Sequence, residues 1–527
     1  DEARRFLNPA LDQLPAPEEM LGLPQAVEVL LPAIKAGACI GVAGDYDADG
    51  VTATALLKEF FAACGCPVVW DLPHRMSDGY GFKPARARRL AEAGAQVIVT
   101  ADCGISDHEG VAEATRLGLP VVVSDHHLLP PGPLVPAAAV VNPKQAACRL
   151  SAHLAGVGVA FYLAAGLRVA LREAGWFADH PEPNLRHSLD LVALGTCADV
   201  VPLVEANRVL VAEGLKVLAE GRRTGLTALA RVAGRKGTLD TMDLGFYLAP
   251  RINAAGRLDH PGPALELLLA QDPAEAASMA QGLDQINAAR REVEADIFEQ
   301  VLERVANEEE LQEAGALVLG DQGWHQGVLG IVAGRLLERT GRPSMLFAIK
   351  NGTAVGSGRS REGFHLQRAL AANAGLLEHF GGHALAAGAS LASDQLPELA
   401  RCLARAAAEQ LPAKEARELT IEHEASLTEL GPAMMEPLAR LAPFGQANPE
   451  PMLAARGAKV GSARVVGDKH LKMELIQDGA SIQAIAFNCE QDWIKPGVRL
   501  DAAFIPRISN FGRPHLELVL QDIRPAA

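Results

Sequence analysis

Three carboxylates stand at every second position in Gly44-Asp45-Tyr46-Asp47-Ala48-Asp49-Gly50, a concentration of hard oxygen ligands on one turn. A calcium loop also opens D-x-D-x-D-G, but it needs Glu at its twelfth position, where this chain has Leu56. Further acids and imidazoles follow apolar runs: Asp102 in Ala101-Asp102-Cys103-Gly104, and Asp125, His126 and His127 in Ser124-Asp125-His126-His127. Asp199 lies in Gly195-Thr196-Cys197-Ala198-Asp199-Val200. Taken singly, each acid also fits a helix cap or a solvated turn. Gathered together they would repel one another unless cations held them, and carboxylate plus imidazole without cysteine suits Mn²⁺ or Mg²⁺ better than structural zinc. Two such ions, about 3.5 to 4 Å apart and bridged by one carboxylate, lower the pKa of a shared water and stabilise entering and leaving oxygens. The implied chemistry is phosphoester hydrolysis.

These residues need elements that deliver them to one edge. The apolar runs Cys39–Ala43, Val68–Leu72, Val97–Thr100 and Val121–Val123 read as short buried strands, with helical segments Thr52–Ala63, Ala85–Ala93 and His108–Leu117 between them. That alternation predicts βαβ units, a parallel sheet and α/β architecture, in which ligands gather beyond the carboxyl ends of the strands. The apolar run Leu191–Leu194 precedes Asp199. From Asp272 to Glu310, apolar residues recur at three- and four-residue multiples, which predicts one long amphipathic helix on the order of 50 Å, a connector between domains. Strands at Ala316–Leu319 and Ser344–Ala348, with Gly-rich stretches at 356–363 and 381–388, suggest a second α/β domain. The runs Ile482–Phe487, Leu500–Ile505 and Leu516–Leu520 suggest a small, partly open β-barrel. The expected boundaries are 1–220, 221–310, 311–414 and 415–527.

Composition is consistent with several folded domains. The 527 residues are 49% hydrophobic, which excludes a disordered chain or a short scaffold. With 49 Lys+Arg against 64 Asp+Glu the formal net charge is −15, which argues against wholesale coating of nucleic acid. The stretch from Arg456 onward nevertheless nets +2, leaving −17 for the residues before it, so a locally basic surface is allowed. The eight cysteines form no C-x-x-C pair, so they suggest neither a disulfide framework nor a cysteine zinc site, and a reducing cytoplasm fits best. The longest apolar stretch, Gly156–Leu171, is interrupted by Arg168 and too short to span a bilayer, so no membrane partner is expected.

The ordered motifs Asp45-Tyr46-Asp47-Ala48-Asp49-Gly50, Asp102, Asp125-His126-His127 and Asp199 resemble those of the DHH phosphoesterase superfamily. Later strings narrow the resemblance to its RecJ single-stranded-DNA exonuclease family: Pro250-Arg251-Ile252-Asn253-Ala254-Ala255-Gly256-Arg257, Trp324-His325-Gln326-Gly327-Val328-Leu329-Gly330, Gly356-Ser357-Gly358-Arg359-Ser360 and Gly381-Gly382-His383-Ala384-Leu385-Ala386-Ala387-Gly388. The resemblance implies that Asp45, Asp47, Asp102, His126 and Asp199 are metal ligands, with Asp102 bridging. It implies that His127 contacts the scissile phosphate, that Asp125 orients the imidazoles, and that Asp49 ligates directly or through water. Pyrophosphatase-like members carry His four residues before the first motif acid. This chain has Gly41 there, which leaves the partition of ligands between two ions open.

For the strand, Ser357, Arg359 and Ser360 on a flexible Gly-rich loop suit phosphate oxygens. His383, before an expected Ala-rich helix, could meet an anion at the helix N-terminus. Arg75, Arg251 and Arg257 are further candidates for the cleft. The terminal domain resembles the oligonucleotide-binding (OB) fold, with Phe487, Phe504, Phe511, Arg507 and Arg513 as candidates for base stacking and phosphate contact. The resemblance implies a metal-dependent 5′-to-3′ exonuclease on single-stranded DNA, releasing nucleoside 5′-monophosphates in repair and recombination, with a helicase or single-strand-binding protein as candidate partners. Two other readings remain. One is a DHH phosphodiesterase on short oligonucleotides or cyclic dinucleotides, or a pyrophosphatase. The other is a non-catalytic strand-binding replication factor.

Overall fold

Five short runs, β1 (Ile40–Gly44), β2 (Val68–Asp71), β3 (Val97–Ala101), β4 (Val121–Ser124) and β5 (Ala139–Val141), pair in parallel in the order β2-β1-β3-β4-β5. The computed structural model describes residues 2–411, 418–467, 470–489, 493–509 and 514–526. Strands β1, β3 and β4 are buried along their whole length, which is why they read as continuous apolar runs rather than alternating ones. Strand order turns back between β1 and β3, the place where open α/β sheets leave a crevice at their carboxyl edge.

The helix that follows β1, Ala48–Ala63, begins almost at once. Asp47 is its N-cap, accepting from the Asp49 and Gly50 amides at 3.1 and 3.0 Å. Gly50 makes the tight reversal possible, since a Cβ there would lie 2.7 Å from the backbone of Asp45. Behind the strand end, the buried Arg86 guanidinium donates to the Gly44, Gly81 and Asp71 carbonyls at 2.6, 2.9 and 2.7 Å and to the Asp71 carboxylate at 2.6 Å.

The connector is one helix, Pro273–Asn307, of 35 residues, N-capped by Asp272. It leads to β6 (Leu317–Asp321), β7 (Ser344–Lys350), β8 (Thr353–Arg359), β9 (His379–Gly382) and β10 (Ala386–Ala392), in the order β6-β7-β8-β10-β9. β6 and β7 are parallel and the rest antiparallel. Two expectations are corrected here. The stretch from Gly356 to Arg359 is strand rather than flexible loop, and His383 precedes strand β10 rather than an Ala-rich helix. Both strands bury every second residue, and their small side chains let β8 and β10 pair closely, so pairing overrides the helix propensity of alanine.

A separate compact body comprises Asp1–Leu14, Val200–Glu213 and Ala416–Ala527, and the rest of the chain forms the other. The separate body holds β11 (His423–Glu424), β12 (Leu453–Val466), β13 (His470–Gln477), β14 (Ala480–Ala486), β15 (Arg499–Ser509) and β16 (His515–Pro525). β12 pairs with both β13 and β15, and this closes a five-stranded barrel around Val460, Leu475, Phe504 and Leu518. Among the described residues, no helix is long and apolar enough to cross a membrane.

Candidate active site

The strand ends bring the acids together. Single donor atoms from Asp45, Asp47 and Asp102 lie within 4.8 Å of one another, as do those of Asp102, His126 and His127, and those of Asp49, His126 and Asp199. Asp102 is common to the first two sets and His126 to the last two. The Asp102 backbone has φ 67°, a left-handed conformation that Asp tolerates better than most residues, and it turns the carboxylate back over the sheet edge. Asp45 Oδ1 and Asp102 Oδ1 are buried without a hydrogen-bond partner. Buried carboxylate oxygens seldom go unsatisfied, and cations are the partners this donor set fits.

His126 is buried, and its Nδ1 lies 3.0 Å from the Leu154 carbonyl, so Nδ1 carries the proton. Its Nε2 therefore presents a lone pair to Asp102, Asp199 and Asp49, at 3.2, 3.5 and 3.9 Å. Burial, reinforced by the neighbouring His127, pushes its pKa down to about 3, so it is the neutral imidazole a metal requires. His127 goes the other way. Burial lowers its pKa, but the hydrogen bond and charge of Asp125 outweigh this and lift it to about 9. Asp125 Oδ1 accepts from the His126 and His127 amides at 2.7 and 3.0 Å and from His127 Nδ1 at 2.8 Å, while Oδ2 accepts from the Ile105 amide at 2.9 Å. Despite burial, those bonds hold its own pKa below the usual range.

The other acids are pushed upward. Burial, then Asp47, raises Asp45 to about 8 and Asp199 to about 7. Burial and neighbouring carboxylates also raise Asp49 and Asp102 well above the ordinary carboxylate range. Asp49 is engaged on both oxygens, accepting from the Gly156 and Val157 amides at 2.6 and 2.8 Å, where helix Gly156–Glu173 begins. Gly156 is required there, because a Cβ would lie 2.5 Å from Asp102 Oδ1.

Helix Ala249–Leu258 braces the turn. Asn253 Oδ1 accepts from the Ala48 amide at 2.8 Å, and a Cβ on Gly256 would lie 2.5 Å from the Tyr46 carbonyl. Arg257, next in sequence, donates to the Gly327 carbonyl at 3.2 Å. Burial pushes its pKa down to about 10, assisted by Arg75, Arg290 and Arg359, which therefore lie within electrostatic reach of it. Arg75 stacks 4.8 Å over the Tyr46 ring. The first turn of helix Leu329–Thr340 faces Ser357 and Arg359, since a Cβ on Gly330 would lie 2.9 Å from Ser357 Oγ and 3.2 Å from Arg359 Nη2.

Three other named residues stand differently. Arg251 is buried in an ion pair with Asp284 at 2.8 Å, and Ser360 is buried with its hydroxyl on the Phe364 carbonyl at 2.7 Å. His383 is exposed in the β9–β10 turn. In the barrel, Phe504 belongs to the core, whereas Phe487 is exposed against the His470 ring, and Arg507 pairs with Glu450 at 2.6 Å. Phe511 and Arg513 lie outside the described residues.

Sequence reasoning missed Tyr80, whose hydroxyl is 3.1 Å from His127 Nδ1, and also Asn142, Lys144 and Asn253. Asn142 and Lys144 follow β5 just as the acids follow β1 and β3. Inspecting polar residues after every strand would have found them, had the three-residue run Ala139–Val141 been read as a strand.

Residues 39–196 match the family model described as DHH family, N-terminal domain, residues 313–409 the DHHA1 domain, and residues 421–522 the RecJ OB domain. With the parallel sheet and its acidic carboxyl edge, these matches put the chain in the DHH class. It is 42% identical over 525 residues to the single-stranded-DNA-specific exonuclease RecJ of Dickeya dadantii, covering 96% of this chain and 90% of that one. Its identity to the exonuclease of the same name from Escherichia coli is 40% over 528 residues, 96% of this chain and 91% of that one. The crystal structure of RecJ from Thermus thermophilus in complex with Mn²⁺ matches with a TM-score of 0.85 at 33% identity, over 99% of this chain and 74% of that one. The chain belongs to the RecJ family.

Proposed function

We propose that this chain is a single-stranded-DNA-specific 5′-to-3′ exonuclease, releasing nucleoside 5′-monophosphates by metal-assisted phosphodiester hydrolysis in DNA repair and recombination. The observation that carries the reading is Asp102, whose carboxylate is common to two donor sets and has an unsatisfied buried oxygen. Asp45, Asp47, Asp102, His126 and Asp199 would hold two divalent ions, Mn²⁺ or Mg²⁺, with Asp102 between them. The ions, when bound, polarise the phosphodiester and stabilise the charge that builds on its oxygens.

The chain's own groups do the rest. Asp125 keeps the His127 imidazole protonated, so it can donate to an oxygen of the scissile phosphate. Asp49 fixes the start of helix Gly156–Glu173 against the Asp45 turn and acts from behind the ligands. Arg75, Arg257, Arg359 and Ser357 receive backbone phosphates, with the exposed His383 as a further contact, whereas Arg251 and Ser360, engaged by Asp284 and the Phe364 carbonyl, hold their own segments in place. The barrel holds the single strand, with Phe487 as a stacking platform. The reading keeps the four domains 1–220, 221–310, 311–414 and 415–527, a cytoplasmic setting, and a helicase or single-strand-binding protein as partner.

The test offers 5′-labelled and 3′-labelled single strands, blunt duplex, dinucleotides and pyrophosphate, with Mn²⁺ or Mg²⁺. Mononucleotides released from the 5′ end of single strands are expected. Equal cutting of blunt duplex, or turnover of pyrophosphate or dinucleotides alone, refutes the reading. Asp102→Ala should abolish turnover while the chain stays folded.

A further inference from the structure

Two side chains from the turn after β5 reach back to the segment that carries both histidines. Asn142 Nδ2 donates to the His127 carbonyl at 3.0 Å, and the Lys144 ammonium donates to the His126 carbonyl. The turn is itself fixed by the Lys144 amide on Asn142 Oδ1 at 2.8 Å. Lys144 is partly buried, and among the described residues its ammonium has no carboxylate within ion-pair distance and only this one acceptor. An ammonium carries three N–H donors, so two of them are uncommitted. Lys144 also lies within the electrostatic reach of Asp125, Asp199 and Asp102.

A fixed cation beside a centre built for divalent cations opposes their binding. It makes physical sense if an anion arrives at the same place. We propose that Lys144 is a phosphate-contacting residue of the hydrolysis, its free N–H groups meeting an oxygen of the phosphodiester beside His126 and His127. The proposal rests on the exonuclease reading, and the anion it needs is the strand itself.

Gln and Met separate the two things the side chain does. Lys144→Gln removes the charge but keeps an N–H donor for the His126 carbonyl, whereas Lys144→Met removes both. Full-length variants are assayed on single-stranded DNA with Mn²⁺, and Mn²⁺ dissociation constants are measured separately by calorimetry. Both variants should lose about 10- to 100-fold in kcat, the size of one hydrogen bond to a charged group. Both should bind Mn²⁺ as tightly as wild type or more tightly, because a repulsive charge has gone. Lys144→Arg should recover much of the rate.

A Gln variant with wild-type kcat overturns the proposal, because support of the His126 carbonyl would then be the whole role. So does a Gln variant whose Mn²⁺ affinity falls in step with its rate. If Met prevents folding, Gln decides alone. A wild-type chain that degrades no single strand overturns the exonuclease reading and Lys144 with it, whereas an active wild type with an unimpaired Gln variant overturns Lys144 only.

Discussion

Asp125→Asn tests whether one buried carboxylate organises both histidines. In wild type, Oδ2 accepts from the Ile105 amide, and Oδ1 from the His126 and His127 amides and from His127 Nδ1. An asparagine amide can keep only one acceptor atom. With its oxygen in the Oδ1 position, its NH₂ faces the Ile105 N–H, leaving a buried donor unsatisfied at about 1–3 kcal/mol. The three remaining bonds lose their carboxylate charge, which roughly halves each. The opposite amide orientation faces three donors and is worse. The expected loss is on the order of 4 kcal/mol, large for a single substitution.

The pH dependence has a definite sign. His127 is raised to about 9 when folded, so its contribution is complete below about 6.5 and is lost as pH rises through 9. Asp125 is held below its ordinary value of 3.8, so its contribution is present above that value and is lost as pH falls below it. The stability gap between wild type and variant should therefore be widest between about pH 4 and 6.5 and should narrow as pH rises from there through 9. Urea denaturation in EDTA, followed by circular dichroism across that range, measures it, and an NMR titration should place the variant's His127 near the ordinary 6.5. A loss under about 1 kcal/mol, or a His127 still titrating near 9, refutes the reasoning.

Gly156→Ala should push Asp102 aside, since the new Cβ would lie 2.5 Å from its Oδ1. It should cost about 1–3 kcal/mol by overpacking and weaken Mn²⁺ binding at least about tenfold by calorimetry. Without metal, Asp45 and Asp199 are raised to about 8 and 7, so the stability they contribute is full below about pH 3.8 and falls as pH rises through 7 and 8. Melting curves in EDTA should show that decline, and Mn²⁺ should suppress it and release protons, as calorimetry in buffers of different ionisation enthalpy would detect. Arg86→Met removes this donor from the Gly44, Gly81 and Asp71 carbonyls and leaves the Asp71 carboxylate to Arg89 alone, and should cost about 3–5 kcal/mol in urea denaturation.

The amino-acid sequence by itself determined the types of the candidate ligands, their order and the strands that most of them follow. Apolar runs, acids two residues apart and the Asp-His-His step are local patterns, and the α/β class with a terminal barrel follows from them. Tertiary structure decided what depends on distant partners. The Leu154 carbonyl selects the His126 tautomer, helix Ala249–Leu258 braces the Asp45 turn, and the turn after β5 brings Lys144 to the histidines. It also turned the alanine-rich stretch after His383 into strand, because the ladder with β8 outweighs alanine's preference for helix. Likewise it set Arg257 and Arg359, which lie within electrostatic reach of each other, apart from Arg251, which is spent on Asp284. A chemical type is written in one residue, whereas the direction of a lone pair or the freedom of a charge is set by groups tens to hundreds of positions away.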